Sequence, residues 1–79
     1  MSIQVVTSLI WALNDYYKLG ETLYKNRHYL DKTFSHFERF DEKDVIEMID
    51  NIDKKFFEIF EDDEIKVKAF IFTILKSQF

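Results

Sequence analysis

The chain has 79 residues and a net charge of −4, and it is 47% hydrophobic, with nine Phe, four Tyr and one Trp. Its length fits one domain, its apolar content excludes an intrinsically disordered segment, and the absence of cysteine excludes disulfides and cysteine-bound zinc. A charged fraction of 33% and the lack of a long apolar run exclude a membrane span, and the absence of proline with only one glycine disfavours a turn-rich β-sandwich. We therefore predict a single all-α domain over residues 1–79.

The charge is distributed unevenly along this chain. Residues 41–64 carry three Lys and eleven Asp or Glu, a net charge of −8, whereas residues 1–40 carry +1 and residues 65–79 carry +3. Such asymmetry concerns binding partners and association rather than the fold.

Apolar residues recur with the 3.6-residue period of an α-helix in the first half of the chain. The first predicted helix spans about residues 3–19, and Gly20 follows it at a position suited to a left-handed helix end. The second predicted helix spans about residues 21–40. On the side opposite its apolar face, basic side chains and histidines form one narrow stripe, consisting of Lys25, His28, Lys32, His36 and Arg39.

The third predicted helix spans about residues 42–60 and contains much of the acid in the chain. Asp41 precedes it, and its carboxylate is placed to accept a hydrogen bond from the backbone N–H of Asp44. Carboxylates form a row on the predicted outer face, interrupted by one lysine: Glu47, Asp50, Lys54, Glu58 and Glu61.

The fourth segment spans about residues 64–79 and follows an acidic break in which Asp62 or Asp63 is the expected N-cap. Residues 65–69 alternate between apolar and polar like a β-strand, but the segment also has a wide apolar helical face. Both interpretations stay open, although a lone strand would lack a partner. Short connections between consecutive helices predict a small antiparallel bundle of three to four helices.

No residue pattern in the chain indicates catalysis or cofactor binding. Cysteine is absent, and the serines and threonines lie in no nucleophile motif. His28 and His36 are about 12 Å apart along a helix, so they cannot bind one metal ion by themselves. The acidic stretches 50–53 and 61–64 lack the glycine of a calcium-binding loop. We therefore expect neither an enzyme nor a metal or cofactor site.

Three large apolar residues fall outside the predicted apolar faces. Trp11 lies among polar residues of the first helix, and Ile46 and Phe57 lie on one flank of the third helix. Large exposed apolar side chains mark association surfaces, and tryptophan is frequent among residues that dominate binding energy. We expect these three residues to contact another protein or a second copy of the chain.

These features favour a small, non-enzymatic protein-interaction module, such as an inhibitor or an accessory or regulatory factor that occludes its partner. A phage, plasmid or immunity-type protein is compatible with this size and composition. An acidic helix can imitate a row of phosphates, so the partner could itself bind nucleic acid. The expected partner-binding residues are Trp11, Ile46, Glu47, Asp50, Phe57, Glu58 and Glu61.

The alternative hypothesis is a nucleic-acid-binding transcriptional regulator that uses the basic stripe of the second helix, from Lys25 to Arg39. Its weakness is the acidic character of the chain, because nucleic-acid-binding domains are usually basic. A homodimer is expected under either hypothesis, since association adds buried surface to a small domain. The N-terminus lacks the basic residues of a signal peptide, which predicts a cytoplasmic location.

Overall fold

Six helices form the fold in the computed structural model, which describes residues 2–36 and 41–77. In chain order they are α1 (Ser2–Tyr17), α2 (Gly20–Lys25), α3 (His28–Phe34), α4 (Glu42–Asn51), α5 (Lys54–Glu58) and α6 (Glu64–Lys76). Every regular element within these ranges is helical, so the all-α prediction is confirmed and the fourth segment is a helix rather than a strand. None of the described helices combines the length and the apolar character needed to cross a membrane. The predicted second and fourth segments also include residues 37–40 and 78–79, which lie outside the described residues.

The second predicted helix is divided into α2 and α3 at Asn26 and Arg27. The Asn26 side chain donates a hydrogen bond to the Thr22 carbonyl at 2.8 Å, and its backbone N–H is shared between the Thr22 and Leu23 carbonyls. The Arg27 N–H then bonds to the Tyr24 carbonyl, only three residues back. An α-helix ends where side chains donate to nearby backbone carbonyls and where backbone hydrogen bonds span three residues instead of four. The spacing of apolar residues is not disturbed at this break, so it predicts one helix instead of two.

The third predicted helix is also divided, into α4 and α5. Ile52 has an extended backbone with ψ 131°, and Asp53 then becomes the N-cap of α5, with its carboxylate accepting a hydrogen bond from the Lys55 N–H at 2.9 Å. Aspartate is among the preferred N-cap residues, so it favours a new helix start at this position. The prediction of one continuous helix over 42–60 is therefore wrong.

The start of α4 agrees with the prediction. The Asp44 N–H donates to Asp41 Oδ1 at 2.9 Å, and the Asp41 N–H donates to Asp44 Oδ2 at 3.4 Å. This reciprocal pair is a capping box built from two aspartates. Asp63 occupies the N-cap position of α6, although its side chain makes no capping hydrogen bond.

The new helix start at Asp53 changes which side chains of α5 face the core. Phe56 and Phe57 are both buried, and Phe57 is only 2% exposed, so its predicted outward position is wrong. The Phe57 ring packs edge-on against Phe56, with centroids 5.6 Å apart, and the Lys68 ammonium lies 5.3 Å from the Phe57 ring centre. Phe57 therefore stabilises the fold and is not available as an anchor for a partner.

Helices α1 and α2 meet at a corner of two residues, Lys18 and Leu19. Lys18 has the left-handed φ of 58°, and Gly20 has no positive φ, so the predicted left-handed role of Gly20 is wrong. Gly20 instead begins α2, where a Cβ would lie 2.5 Å from Asn14 Oδ1. A side chain at position 20 would therefore require the Asn14 side chain to move.

Helices α1 and α6 pack against each other and link the remaining helices into one bundle. Helix α1 packs against α2, α3 and α6, and α6 also packs against α4 and α5. The fully buried core includes side chains from all six helices: Leu9, Leu13, Leu23, Leu30, Phe34, Met48, Phe56, Ile71 and Leu75. This packing leaves two surfaces with unusual composition, one along α1, α2 and α3 and one on α4 and α5.

Candidate interaction surfaces

A groove of about 620 Å³ lies between α1 and the α2–α3 pair. Its apolar floor is formed by Val6, which belongs to the core, and Ile10, which packs against the core. Trp11 on α1 and Tyr24 on α2 line its walls, with 66% and 59% of their surfaces exposed. The floor is thus held by core packing, and two large aromatic side chains beside it are free to contact another molecule. We call this feature the Trp11 groove.

The exposure of Trp11 confirms that it lies outside the core. Tyr24 was not predicted as an exposed contact residue, although the sequence carries the same signal for it as for Trp11. Tyr24 follows the buried Leu23 and lies off the apolar face of its helix, as Trp11 does in α1. The sequence does not show that α1 packs close to α2 and so places these two aromatic residues around one groove.

Two charged side chains also line the Trp11 groove. The Arg27 guanidinium carbon lies 3.9 Å from the centre of the Tyr24 ring, and Arg27 Nη1 donates to the Tyr24 carbonyl at 2.7 Å. Asp31, in the first turn of α3, makes no ion pair with any other described residue. The charges of Arg27 and Asp31 cancel, so the groove is neutral although the chain is acidic.

The second surface carries four exposed carboxylates, as the sequence predicts. Glu47 and Asp50 lie on α4, Glu58 lies on α5, and Glu61 follows α5 with a left-handed φ of 57°. No described Lys or Arg nitrogen lies within 4.0 Å of any of the four. Because the helix is broken before α5, these carboxylates do not form the single helical row that was predicted.

Ile46 lies beside Glu47 on α4 and is 48% exposed, which confirms its predicted outward position. We call Ile46 and the four carboxylates the acidic surface. Ile46 belongs to α4, whereas Trp11 lines the groove formed by α1, α2 and α3, so the predicted apolar anchors do not meet at one site. Ile65 at the start of α6 is 84% exposed and was not singled out from the sequence.

The basic stripe does not lie on one continuous helix, because α2 ends at Lys25 and α3 begins at His28. Lys25 is paired with Glu21 at 3.2 Å, and the His28 ring lies 4.0 Å from the Tyr29 ring. Lys32 and His36 are exposed, and Arg39 lies outside the described residues. The described part of the stripe is therefore divided between two helices.

Tyr17, the last residue of α1, is partly buried and packs against the core. Its ring packs edge-on against Tyr16 and Phe60, with centroids 4.8 and 4.9 Å away. Its hydroxyl is inaccessible to solvent and has no hydrogen-bond partner among the described groups. Burial, with smaller contributions from the Asp63 carboxylate and Tyr16, raises the pKa of the Tyr17 phenol above its usual value.

In the described ranges, no group of three or more His, Asp or Glu side chains is arranged to hold a metal ion. No family model, curated protein or solved structure matches this chain. The two surfaces must therefore be interpreted from their own geometry and charge. Both combine exposed apolar side chains with charged ones.

Proposed function

We propose that this chain is a non-enzymatic protein-interaction module that binds a basic surface of another protein and occludes it. The observation that supports this proposal is the acidic surface, where four exposed carboxylates without a described cationic partner accompany the exposed Ile46. A surface salt bridge within the chain would have neutralised these charges. Their availability favours pairing with cations of a second molecule.

The charge distribution supports a basic partner. Residues 41–64 have a net charge of −8, so this part of the chain attracts a Lys- and Arg-rich surface at distances up to the Debye length of about 8 Å at physiological salt. Complementary charge increases the association rate and selects among partners, while apolar contacts supply much of the affinity. Ile46 provides such a contact beside Glu47.

A basic groove that normally binds nucleic acid is one example of such a Lys- and Arg-rich surface. Carboxylates presented from α4 and α5 would occupy the positions of phosphates and exclude the nucleic acid. The chain would then act as an inhibitor or regulatory factor through occlusion, without a chemical step of its own.

The test compares two variants that change the net charge equally. Glu47→Lys/Asp50→Lys alters the acidic surface, whereas Asp15→Lys/Glu21→Lys alters exposed residues of α1 and α2. Each purified chain is used to capture proteins from a lysate of the native host, and the affinity of the enriched protein is then measured with purified components. We expect the first variant to bind at least about tenfold more weakly, because it places like charges against a basic partner.

The control variant should keep its affinity within about threefold and should show the same steep weakening with salt as the natural chain. Circular dichroism verifies that both variants remain helical. Equal affinity of the natural chain and Glu47→Lys/Asp50→Lys for the captured protein would contradict the proposal.

A further inference from the structure

The Trp11 groove has the features that an isologous contact between two identical chains requires. In a two-fold arrangement the same surface must act as both halves of the interface. Here a protruding tryptophan and the groove that it lines belong to one face. A rotation about an axis beside Trp11 therefore brings each tryptophan to the groove of the other copy.

The charges of the groove are also complementary to themselves. Arg27 and Asp31 both line it, and Asp31 has no ion-pair partner among the described residues. In a two-fold pair, Arg27 of each copy can face Asp31 of the other. The acidic surface could not associate in this way, because two copies of it would place unpaired carboxylates against each other.

We propose that the Trp11 groove binds a second copy of this chain, with Trp11 of each copy inserted over Val6 and Ile10 of the other. The neutral groove allows two acidic chains to approach each other without strong local repulsion. The apolar floor and the two exposed aromatic residues supply the surface that becomes buried. The acidic surface on α4 and α5 remains available, so this proposal does not depend on the proposed function.

Trp11 is the only tryptophan in the chain, so its fluorescence reports directly on this groove. Sedimentation velocity over a dilution series should show a reversible dimer of twice the 9.7 kDa chain mass. Over the same series, the emission maximum of Trp11 should shift to shorter wavelength as the dimer forms, because the exposed indole leaves water. A natural chain that remains monomeric at its highest soluble concentration, with unchanged emission, overturns the proposal.

Trp11→Ala tests the anchor, and Ile65→Ala is the matched control, since Ile65 is the more exposed residue and does not line the groove. Trp11→Ala should raise the dimer dissociation constant on the order of thirtyfold, as expected for a central tryptophan. Ile65→Ala should change it by less than about twofold. A dimer that is unaffected by Trp11→Ala, or one that is lost with Ile65→Ala, assigns the contact to another surface and overturns the proposal.

The charge exchange provides a second, independent test. Arg27→Asp and Asp31→Arg should each weaken the dimer, because each places like charges across the two-fold axis. The double variant Arg27→Asp/Asp31→Arg should restore association to within about threefold of the natural chain. The pairing of Arg27 with Asp31 would be contradicted if the single variants dimerised with normal affinity. It would also be contradicted if the double variant dimerised no more tightly than the weaker-binding single variant. Thermal unfolding of each variant verifies that the fold is retained.

Discussion

Among single side chains, Tyr17 combines favourable ring packing with an unsatisfied polar atom. Its ring fills space between α1 and Phe60, and its hydroxyl is shielded from water without a described hydrogen-bond partner. A buried hydroxyl of this kind costs on the order of 1 kcal/mol of stability. The aromatic ring therefore explains the presence of a large side chain at this position, but the hydroxyl does not contribute to the packing.

We predict that Tyr17→Phe keeps or slightly raises the free energy of unfolding at neutral pH, by up to about 1 kcal/mol, because it removes only the unpartnered hydroxyl. The raised pKa of Tyr17 means that the folded chain holds the phenol proton more tightly than the unfolded chain. The natural chain should therefore lose stability relative to Tyr17→Phe as the pH rises above about 10, where the unfolded phenol ionises.

Urea unfolding at pH 8 and at high pH measures this difference. Tyr24→Phe removes an exposed hydroxyl and is the control, which should follow the natural chain at both pH values. A Tyr17→Phe variant that is strongly destabilised at pH 8 would show that the hydroxyl has a partner after all.

At the scale of helices, a single aspartate determines how the third predicted segment divides. Asp53 caps α5 with a 2.9 Å hydrogen bond, and this restart rotates Phe57 into the core. The same rotation separates Glu58 from the row of Glu47 and Asp50. The helix break before position 53 thus accompanies both the burial of Phe57 and the division of the acidic surface between two helices.

We expect Asp53→Ala to lower the free energy of unfolding by about 1 kcal/mol, the usual value of an N-cap aspartate. Asp50→Ala is the matched control, because Asp50 is an exposed aspartate inside α4 with no capping role. Its effect should stay within about 0.5 kcal/mol, as for most surface substitutions. Chemical denaturation provides both values, and an equal loss in the two variants would argue against the cap.

The sequence predicts the existence of the helices better than the points at which they end. The apolar period of α1 and the Asp41 cap of α4 are confirmed, and Trp11 and Ile46 lie outside the core as expected. The sequence left helix and strand open for the fourth segment, which is the helix α6. The prediction fails at Asn26 and at Asp53, where local hydrogen bonds interrupt a helix without disturbing the apolar pattern.

Over the whole molecule, the charge is distributed unevenly between the two surfaces. The Trp11 groove is neutral, whereas the carboxylates of the acidic surface have no described ion-pair partner. The groove could not be predicted from the sequence, because it arises only when α1 packs against α2 and α3. The acidic surface was predicted from composition, although its arrangement over two helices was not.

This charge distribution predicts a salt effect on stability. Raising the ionic strength from about 0.02 M to about 0.5 M should increase the thermal unfolding temperature, because salt screens repulsion among the carboxylates of residues 41–64. Glu47→Lys/Asp50→Lys changes the charge of this segment from −8 to −4 and should show a smaller increase. Thermal unfolding followed by circular dichroism at both ionic strengths measures the effect. An identical salt response in the two chains would show that these carboxylates do not repel each other appreciably.

The corner that contains the left-handed Lys18 affects how the Trp11 groove responds to an occupant. Only Lys18 and Leu19 join its two walls, Leu19 packs against the core, and Gly20 already lies against Asn14. Because Leu19 in this connection packs against the core, a change in the angle between α1 and α2 would disturb core contacts. We expect the groove to keep its width on binding, so that the shape of the occupant, rather than adjustment of the helices, decides what is accepted.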